Sequence, residues 1–397
     1  MKDLPPLPTC HCPYCGSTVP DSPYCGACGS DLTRKVTGRA KVRTHAFAAC
    51  PNESILMPSI VTTLFPQLSW RATVGFRIAL GLFTLALLGC ALAGATGPVI
   101  AVSALGVPLL FQIYVYEVDP YQSGALPMTA ALLTVGAACG AGWALLAGPM
   151  VAAAAAPTLL PLHLTGGQTL RDGIGVPVVG QILMCLPVAV IRLRRPWGWD
   201  ALDGFTAGAT TGVGFAAAVT VVEMSSWMYL GQFAHQPTAS VLAQAILRGI
   251  SVPVAAAALT GYVGATLFAA RPPASIVTVH RTRIFASPVT AIVIAVVLQA
   301  GRGVTDVARL PVVAVVLLHL AATLLAIIAL RAGLHWLLLL EGTRTMIGPP
   351  WACTNCHHMT PVMLYCAQCG MARRATARSW RMRNPPPGGL VTDIEAR

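Results

Sequence analysis

The chain has 397 residues, of which 55% are hydrophobic and only 10% are charged, and its mean hydropathy is +0.68. A soluble domain carries about 25% charged residues, so this composition excludes an ordinary soluble globular protein. The net charge of +12 is explained by arginines that flank membrane spans on their cytoplasmic side, and we do not expect nucleic acid to be a partner.

The first predicted element is a cysteine module over residues 10–33. It contains two Cys-x-x-Cys pairs, Cys12 with Cys15 and Cys25 with Cys28, separated by nine residues. Two residues between paired cysteines let both thiolates reach one ion, and two such pairs complete a tetrahedral four-cysteine site. The spacing therefore predicts a structural zinc ribbon.

A linker over residues 34–69 leads to a membrane body over residues 70–340. Apolar runs of about 20 residues predict membrane-spanning helices there. We place eight of them, approximately at residues 72–95, 98–117, 126–150, 174–191, 203–230, 241–269, 286–301 and 310–332. The predicted fold class is an all-α polytopic membrane protein with a small zinc ribbon at each end.

The distribution of arginine between the predicted loops sets the orientation. Loops on one side contain Arg192, Arg194, Arg195, Arg271, Arg281 and Arg283. Loops on the other side contain Arg171, Arg302 and Arg309, together with Asp172 and Asp306. Cytoplasmic loops carry the excess of cationic residues, so both termini are expected in the cytoplasm.

The fifth predicted span is unusual because small residues recur in it every four positions. They are Gly204, Gly208, Gly212 and Ala216. Such a row forms a groove that lets another helix approach closely, so we assign these residues to helix packing and expect the groove to hold a transmembrane partner.

A second cysteine module covers residues 351–372 and repeats the pattern of the first. Its pairs are Cys353 with Cys356 and Cys366 with Cys369, again separated by nine residues. Disulfides and a redox dithiol are the alternatives, but a reducing compartment and two complete pairs favour a second zinc site. The arginine-rich tail, residues 373–397, is predicted to be disordered and to contact anionic lipid headgroups.

Four stretches of the body resemble the PrsW family of intramembrane proteases, which is related to the CAAX-type and Abi proteins. The stretches are residues 203–216, 176–184, 248–256 and 116–121. The resemblance covers about residues 75–270 and implies a helical membrane fold with a metal site that activates water.

The positions that the family uses for that chemistry are replaced here. Gly180 and Gln181 stand where the family has a glutamate pair, and Met184 replaces its lysine. Val219 replaces a further glutamate and Ala256 replaces a histidine. Glycine, valine and alanine side chains have no ligand atom, so the resemblance implies a lost active site.

Glu223 lies one helical turn beyond Val219 on the same helix face. An acid within a span requires an explanation, and Glu223 and Arg248 are expected at similar depths, roughly 10 Å inside the membrane. We predict a structural ion pair between Glu223 and Arg248, with His319 adjoining. A proton-carrying or ligand-binding role, and a catalytic one for Glu223 and His319, are the alternatives.

Three functions remain open. The preferred one is a catalytically degenerate PrsW-type protein that binds membrane-anchored regulatory partners of the anti-sigma type, while its ribbons bind a cytoplasmic protein. The second is an active metalloprotease with a shifted site at Glu223 and His319, and the third is a small-solute or proton carrier. Only Lys2, Lys35 and Lys41 are lysines, a bias typical of GC-rich bacterial genomes, so the expected location is a bacterial cytoplasmic membrane.

Overall fold

The architecture was established from a computed structural model. It describes residues 8–33, 47–50, 53–68, 70–118, 125–155, 167, 169–194, 200–229, 237–269, 284–308, 310–342, 347–353 and 355–373. Several residues invoked for the sequence predictions lie outside these ranges, namely residues 119–121, Arg195, Arg271, Arg281, Arg283, Arg309 and the tail beyond Arg373.

Helices dominate the described residues, and each cysteine module adds a short hairpin. The helices are α1 (Ile60–Leu64), α2 (Trp70–Leu92), α3 (Thr96–Val118), α4 (Ala125–Ala155), α5 (Val176–Arg194), α6 (Ala201–Tyr229), α7 (Thr238–Ile246), α8 (Val252–Phe268), α9 (Pro288–Val307) and α10 (Val312–Gly342). The hairpins pair β1 (Thr9–His11) with β2 (Thr18–Pro20) and β3 (Pro350–Ala352) with β4 (Met359–Pro361), both antiparallel.

Among the described residues, eight helical segments are long and apolar enough to cross a membrane, as predicted. One of them, Thr238–Phe268, combines α7 and α8 through a π-helical turn at Leu247–Ser251. Pro253 follows this turn. Because proline has no N–H to donate to the preceding turn, the wider helical turn accommodates it within one continuous span.

Helix α6 lies at the centre of the bundle, between α4 and α8. A methyl group added at Gly204, Gly208 or Gly212 would lie 2.3–2.7 Å from a backbone oxygen of α8. The contact between α6 and α4 is equally close, since a methyl group at Gly136 or Gly140 of α4 would lie 2.4 Å from a backbone oxygen of α6. The predicted groove is therefore filled by α8 of the same chain, so a separate transmembrane partner would have to bind at another surface.

The described part of the sequence assigned to a linker belongs to the body. Phe47, Val61, Leu64 and Phe65 are buried in its main hydrophobic core. The segment is attached by Arg331 of α10, whose fully buried guanidinium donates to the Glu53 carboxylate at 2.8 Å. The hydropathy of the sequence did not reveal that this segment packs on the body, because the segment is short and Arg331, the partner of Glu53, lies far away in the chain.

Two of the predicted outer-loop charges lie inside a helix instead. Arg302 and Asp306 are part of α9, which extends six residues beyond the predicted end at 301. Arg302 is only 6% exposed. Arg171 and Asp172 likewise lie in a π-helical segment, Thr169–Gly175, that leads into α5. The charge asymmetry of the loops is thus weaker evidence of orientation than the sequence indicated.

Candidate functional site

Met184, Val219 and Ala256, which the resemblance aligns with functional positions of the family, come together in space. Met184 of α5, Ala256 of α8 and Phe215 and Ala216 of α6 form a small buried cluster, and Val219 packs against it. We call these five residues the replaced-site cluster. The resemblance aligned separate stretches of sequence, and the fold brings them to one place between α5, α6 and α8.

Gly180 lies at the edge of the replaced-site cluster. A methyl group at this position would lie 3.2 Å from the indole nitrogen of Trp143 and 3.9 Å from the ring of Phe215. Trp143 belongs to α4 and is only partly buried. The indole therefore occupies space beside Gly180 that a larger side chain would otherwise fill.

A neutral hydrogen-bond network runs beside the cluster. The Gln181 amide nitrogen donates to the Thr260 hydroxyl at 3.3 Å, and the Gln299 amide nitrogen donates to the Gln181 amide oxygen at 3.2 Å. The Thr260 hydroxyl also contacts the Met184 sulfur at 3.7 Å. Sequence reasoning missed Thr260 and Gln299, since an isolated polar residue within a span gives no indication of its partner.

These side chains do not fit a catalytic metal. A catalytic zinc site needs about three protein ligands, drawn from histidine, cysteine and carboxylate side chains. Gly180, Val219 and Ala256 supply none, and the Gln181 amide already bonds to two polar neighbours. Among the described residues, the clusters of three or more such ligand atoms are the two four-cysteine groups. No catalytic step is therefore assigned to a metal at this position.

The structure places Glu223 against Arg248. The Arg248 guanidinium contacts the Glu223 carboxylate. The Glu223 side chain is 33% exposed and the Arg248 side chain is 25% exposed. Glu223 lies in α6 and Arg248 lies in the π-helical turn. Pairing lowers the cost of keeping either charge in an apolar environment.

His319 has different partners from those expected. Its Nε2 lies 2.9 Å from the Asp306 carboxylate, and its Nδ1 accepts a hydrogen bond from Arg302 Nε at 3.4 Å. Arg302 also donates to the Ser251 hydroxyl at 3.4 Å. Arg302 and Asp306 are four residues apart in α9 and therefore lie on one face of that helix. A predicted span that ended at Val307 instead of at residue 301 would have revealed this pair in the sequence.

Each group of four cysteines is arranged for a tetrahedral ion. Neighbouring sulfurs lie 3.8 Å apart in the first module, between Cys12 and Cys28 and between Cys15 and Cys25. The corresponding pairs in the second module lie 3.7 Å apart. Four sulfurs at about 2.3 Å from a zinc ion, at tetrahedral angles, are about 3.8 Å from one another. These distances are far beyond a disulfide bond, so the geometry fits a four-thiolate metal site.

The turns that follow the cysteine pairs have left-handed backbone. Gly16, Gly29 and Gly370 have φ values of 75°, 72° and 71°, where glycine has no steric penalty. His357 occupies the fourth such position, with φ of 59°. The two modules therefore share one backbone path, and we call them the first ribbon (residues 10–33) and the second ribbon (residues 351–372).

Comparison with known proteins gives one family. Residues 126–337 match the model of the PrsW family intramembrane metalloprotease. The match begins in α4 and ends in α10, so it includes the replaced-site cluster but neither ribbon. It extends further toward the C-terminus than the stretches noted in the sequence. No curated protein and no solved structure matches the chain significantly. Because the family match covers more than half of the chain and all the helices around the replaced-site cluster, this multi-pass membrane protein belongs to the PrsW family.

Proposed function

We propose that the protein is a catalytically degenerate PrsW-type protein that binds membrane-anchored proteins without cleaving them. One observation supports this above the others. The positions that the resemblance aligns with the family's catalytic residues lie together in the fold, and valine, alanine, methionine and a hydrogen-bonded glutamine occupy them. A fold that keeps the arrangement and replaces the reactive groups is suited to recognition rather than hydrolysis.

The metal content of the purified protein tests the loss of the catalytic site. We expect two zinc ions per chain in detergent, and none after Cys12, Cys25, Cys353 and Cys366 are all changed to serine, because each ribbon then loses two of its four ligands. Elemental analysis of the two proteins measures this directly. A further zinc that survives the four substitutions would contradict the proposal, because it would require a metal in the membrane body.

The active-protease alternative requires Glu223 and His319 to give up the partners they have in the structure. Glu223 would have to leave Arg248, and His319 would have to leave Arg302 and Asp306, before the two could share a metal. If the surviving zinc were found, Glu223→Gln and His319→Ala would be the substitutions to examine in a cleavage assay.

The partner must bind elsewhere than the filled groove of α6. We propose the edge of the replaced-site cluster at Trp143, where a partly exposed aromatic side chain borders the family's former site. Membrane-anchored regulators of the anti-sigma type follow by analogy with the family. The expected setting is a bacterial cytoplasmic membrane with both termini in the cytoplasm.

Site-specific photocrosslinking in cells checks this position. A benzoylphenylalanine in place of Trp143 is expected to capture a single-span membrane protein, because the probe replaces an aromatic ring at the proposed contact. The matched control is Leu145, which is 64% exposed on the same helix and points about 200° away from Trp143. Equal capture at both positions would indicate nonspecific labelling and would refute the proposed contact.

The ribbons are proposed to hold zinc and to contact a cytoplasmic protein. The four-thiolate geometry supports zinc, which prefers tetrahedral sulfur ligands. Arginines of the tail, which lie mostly outside the described residues, supply the proposed contact with anionic lipid headgroups.

A further inference from the structure

The two ribbons bind each other, although they lie at opposite ends of the chain. The Tyr24 amide donates to the Ala367 carbonyl, and the Tyr365 amide donates to the Gly26 carbonyl, both at 2.9 Å. Tyr24 and Tyr365 each precede the third cysteine of their ribbon, and Gly26 and Ala367 each follow it. The two hydrogen bonds are therefore equivalent, and the contact has approximate twofold symmetry.

Side chains repeat the same symmetry. The Tyr365 ring packs so closely on Gly29 that an added methyl group would lie 2.8 Å from it, and the Tyr24 ring packs on Gly370 with a corresponding distance of 2.6 Å. The Tyr365 side chain is buried in this contact. Each ribbon thus places one tyrosine on the glycine that ends the other's second cysteine pair.

The paired ribbons also rest on the membrane body. Leu339 of α10 is buried together with Cys12, Cys25 and Met363. The Met363 sulfur lies against Gly26, where an added methyl group would come within 2.3 Å of it. Met363 therefore joins the second ribbon to the first at the point where the first meets α10.

The residues of this contact belong to the metal-binding turns themselves. Gly26 lies between Cys25 and Cys28, Ala367 lies between Cys366 and Cys369, and Gly29 and Gly370 come directly after the last cysteines. Small modules with four cysteine ligands fold when they bind metal. Losing the ion from one ribbon would therefore disorder the surface on which the other ribbon rests.

We propose that the two four-cysteine sites form one coupled metal-binding unit, in which zinc at each site strengthens binding at the other. This inference is independent of whether the membrane body is catalytic. It also means that a cytoplasmic protein would contact the outer faces of the ribbon pair, because the inner faces cover each other.

Zinc competition on full-length protein in detergent tests the coupling. One variant carries Cys12→Ser and Cys25→Ser, another carries Cys353→Ser and Cys366→Ser, and each retains one intact site. We expect each remaining site to bind zinc more weakly than the sites of the unchanged protein by at least about fivefold, the lower end of typical coupling between sites. Chelators of graded affinity measure the zinc retained.

A second pair of variants leaves all eight cysteines of the two sites in place. Met363→Ala removes the buried methionine that packs on Gly26 of the first ribbon and should weaken zinc binding at both sites. Met359→Ala removes a methionine of the same ribbon that is 66% exposed and should have no effect. Unchanged affinity in both single-site proteins, or equal affinity in the two methionine variants, would overturn the proposal.

Discussion

Replacing Arg331 by methionine is expected to destabilise the protein severely. The guanidinium is fully buried in α10, donates to Glu53 at 2.8 Å and to the hydroxyls of Thr62 and Thr63 at 3.0 Å, and lies 4.1 Å from the centre of the Phe47 ring. Removing the buried partner of an ion pair costs about 3–5 kcal/mol, and the Glu53 carboxylate would keep only its more distant contact with the exposed Arg77. Unfolding in detergent, followed by intrinsic fluorescence, measures the loss.

The chain provides a matched control for this substitution. Arg77 contacts the same carboxylate at 3.5 Å, but its side chain is 53% exposed. Exposed pairs contribute about 0–1 kcal/mol, so Arg77→Met should have little effect. The double variant Arg331→Met with Glu53→Gln should recover part of the stability, because it removes a carboxylate charge that has lost its buried partner. Equal losses for Arg331→Met and Arg77→Met would refute the assigned role of the buried arginine.

Gly208→Ala should also lower stability strongly, through backbone contact rather than charge. The added methyl group would lie 2.3 Å from the Thr260 carbonyl oxygen in α8, a distance that forces α6 and α8 apart. Overpacking in a buried contact costs about 1–3 kcal/mol, and the separation would extend along the whole α6–α8 interface. The thermal unfolding midpoint of the purified protein gives the measurement.

Gly89→Ala in α2 is the control, and it should change stability in the opposite direction. A methyl group at Gly89 meets nothing within 4 Å, and glycine in a helix is less stable than alanine by about 0.5–1 kcal/mol. The sign of the effect therefore separates close helix packing from a general preference for alanine. A stabilising effect at both positions would show that α6 and α8 are not in close contact.

The parts of the fold that follow from local composition were predictable. Eight apolar runs predicted eight spans, and the spacing of eight cysteines predicted two metal-binding groups, since both signals depend on neighbours in the sequence. The row of small residues in α6 indicated a close helix contact, but small side chains do not specify which helix makes it. Sequence alone could not distinguish α8 from a separate partner.

The features that were missed depend on residues far apart in the chain. Arg331 and Glu53 are separated by 278 positions, and no periodic pattern links them. Arg302 was assigned to a loop because a charge normally ends an apolar run, yet its partners His319 and Ser251 lie on other helices. The replaced-site cluster was identified only because the family resemblance aligned separate stretches that hydropathy treats as independent.

The contact between the ribbons has a consequence for how the protein is made. The first ribbon and Glu53 precede every described span, whereas their partners lie later in the chain: Arg331 within the last described span and the second ribbon after it. Neither contact forms until every described span is in place, and an inverted terminal span would leave the ribbons on opposite sides of the membrane. Ribbon pairing thus distinguishes a chain whose described spans are all inserted from one whose insertion is incomplete, and the incomplete chain leaves the inner faces of its ribbons exposed.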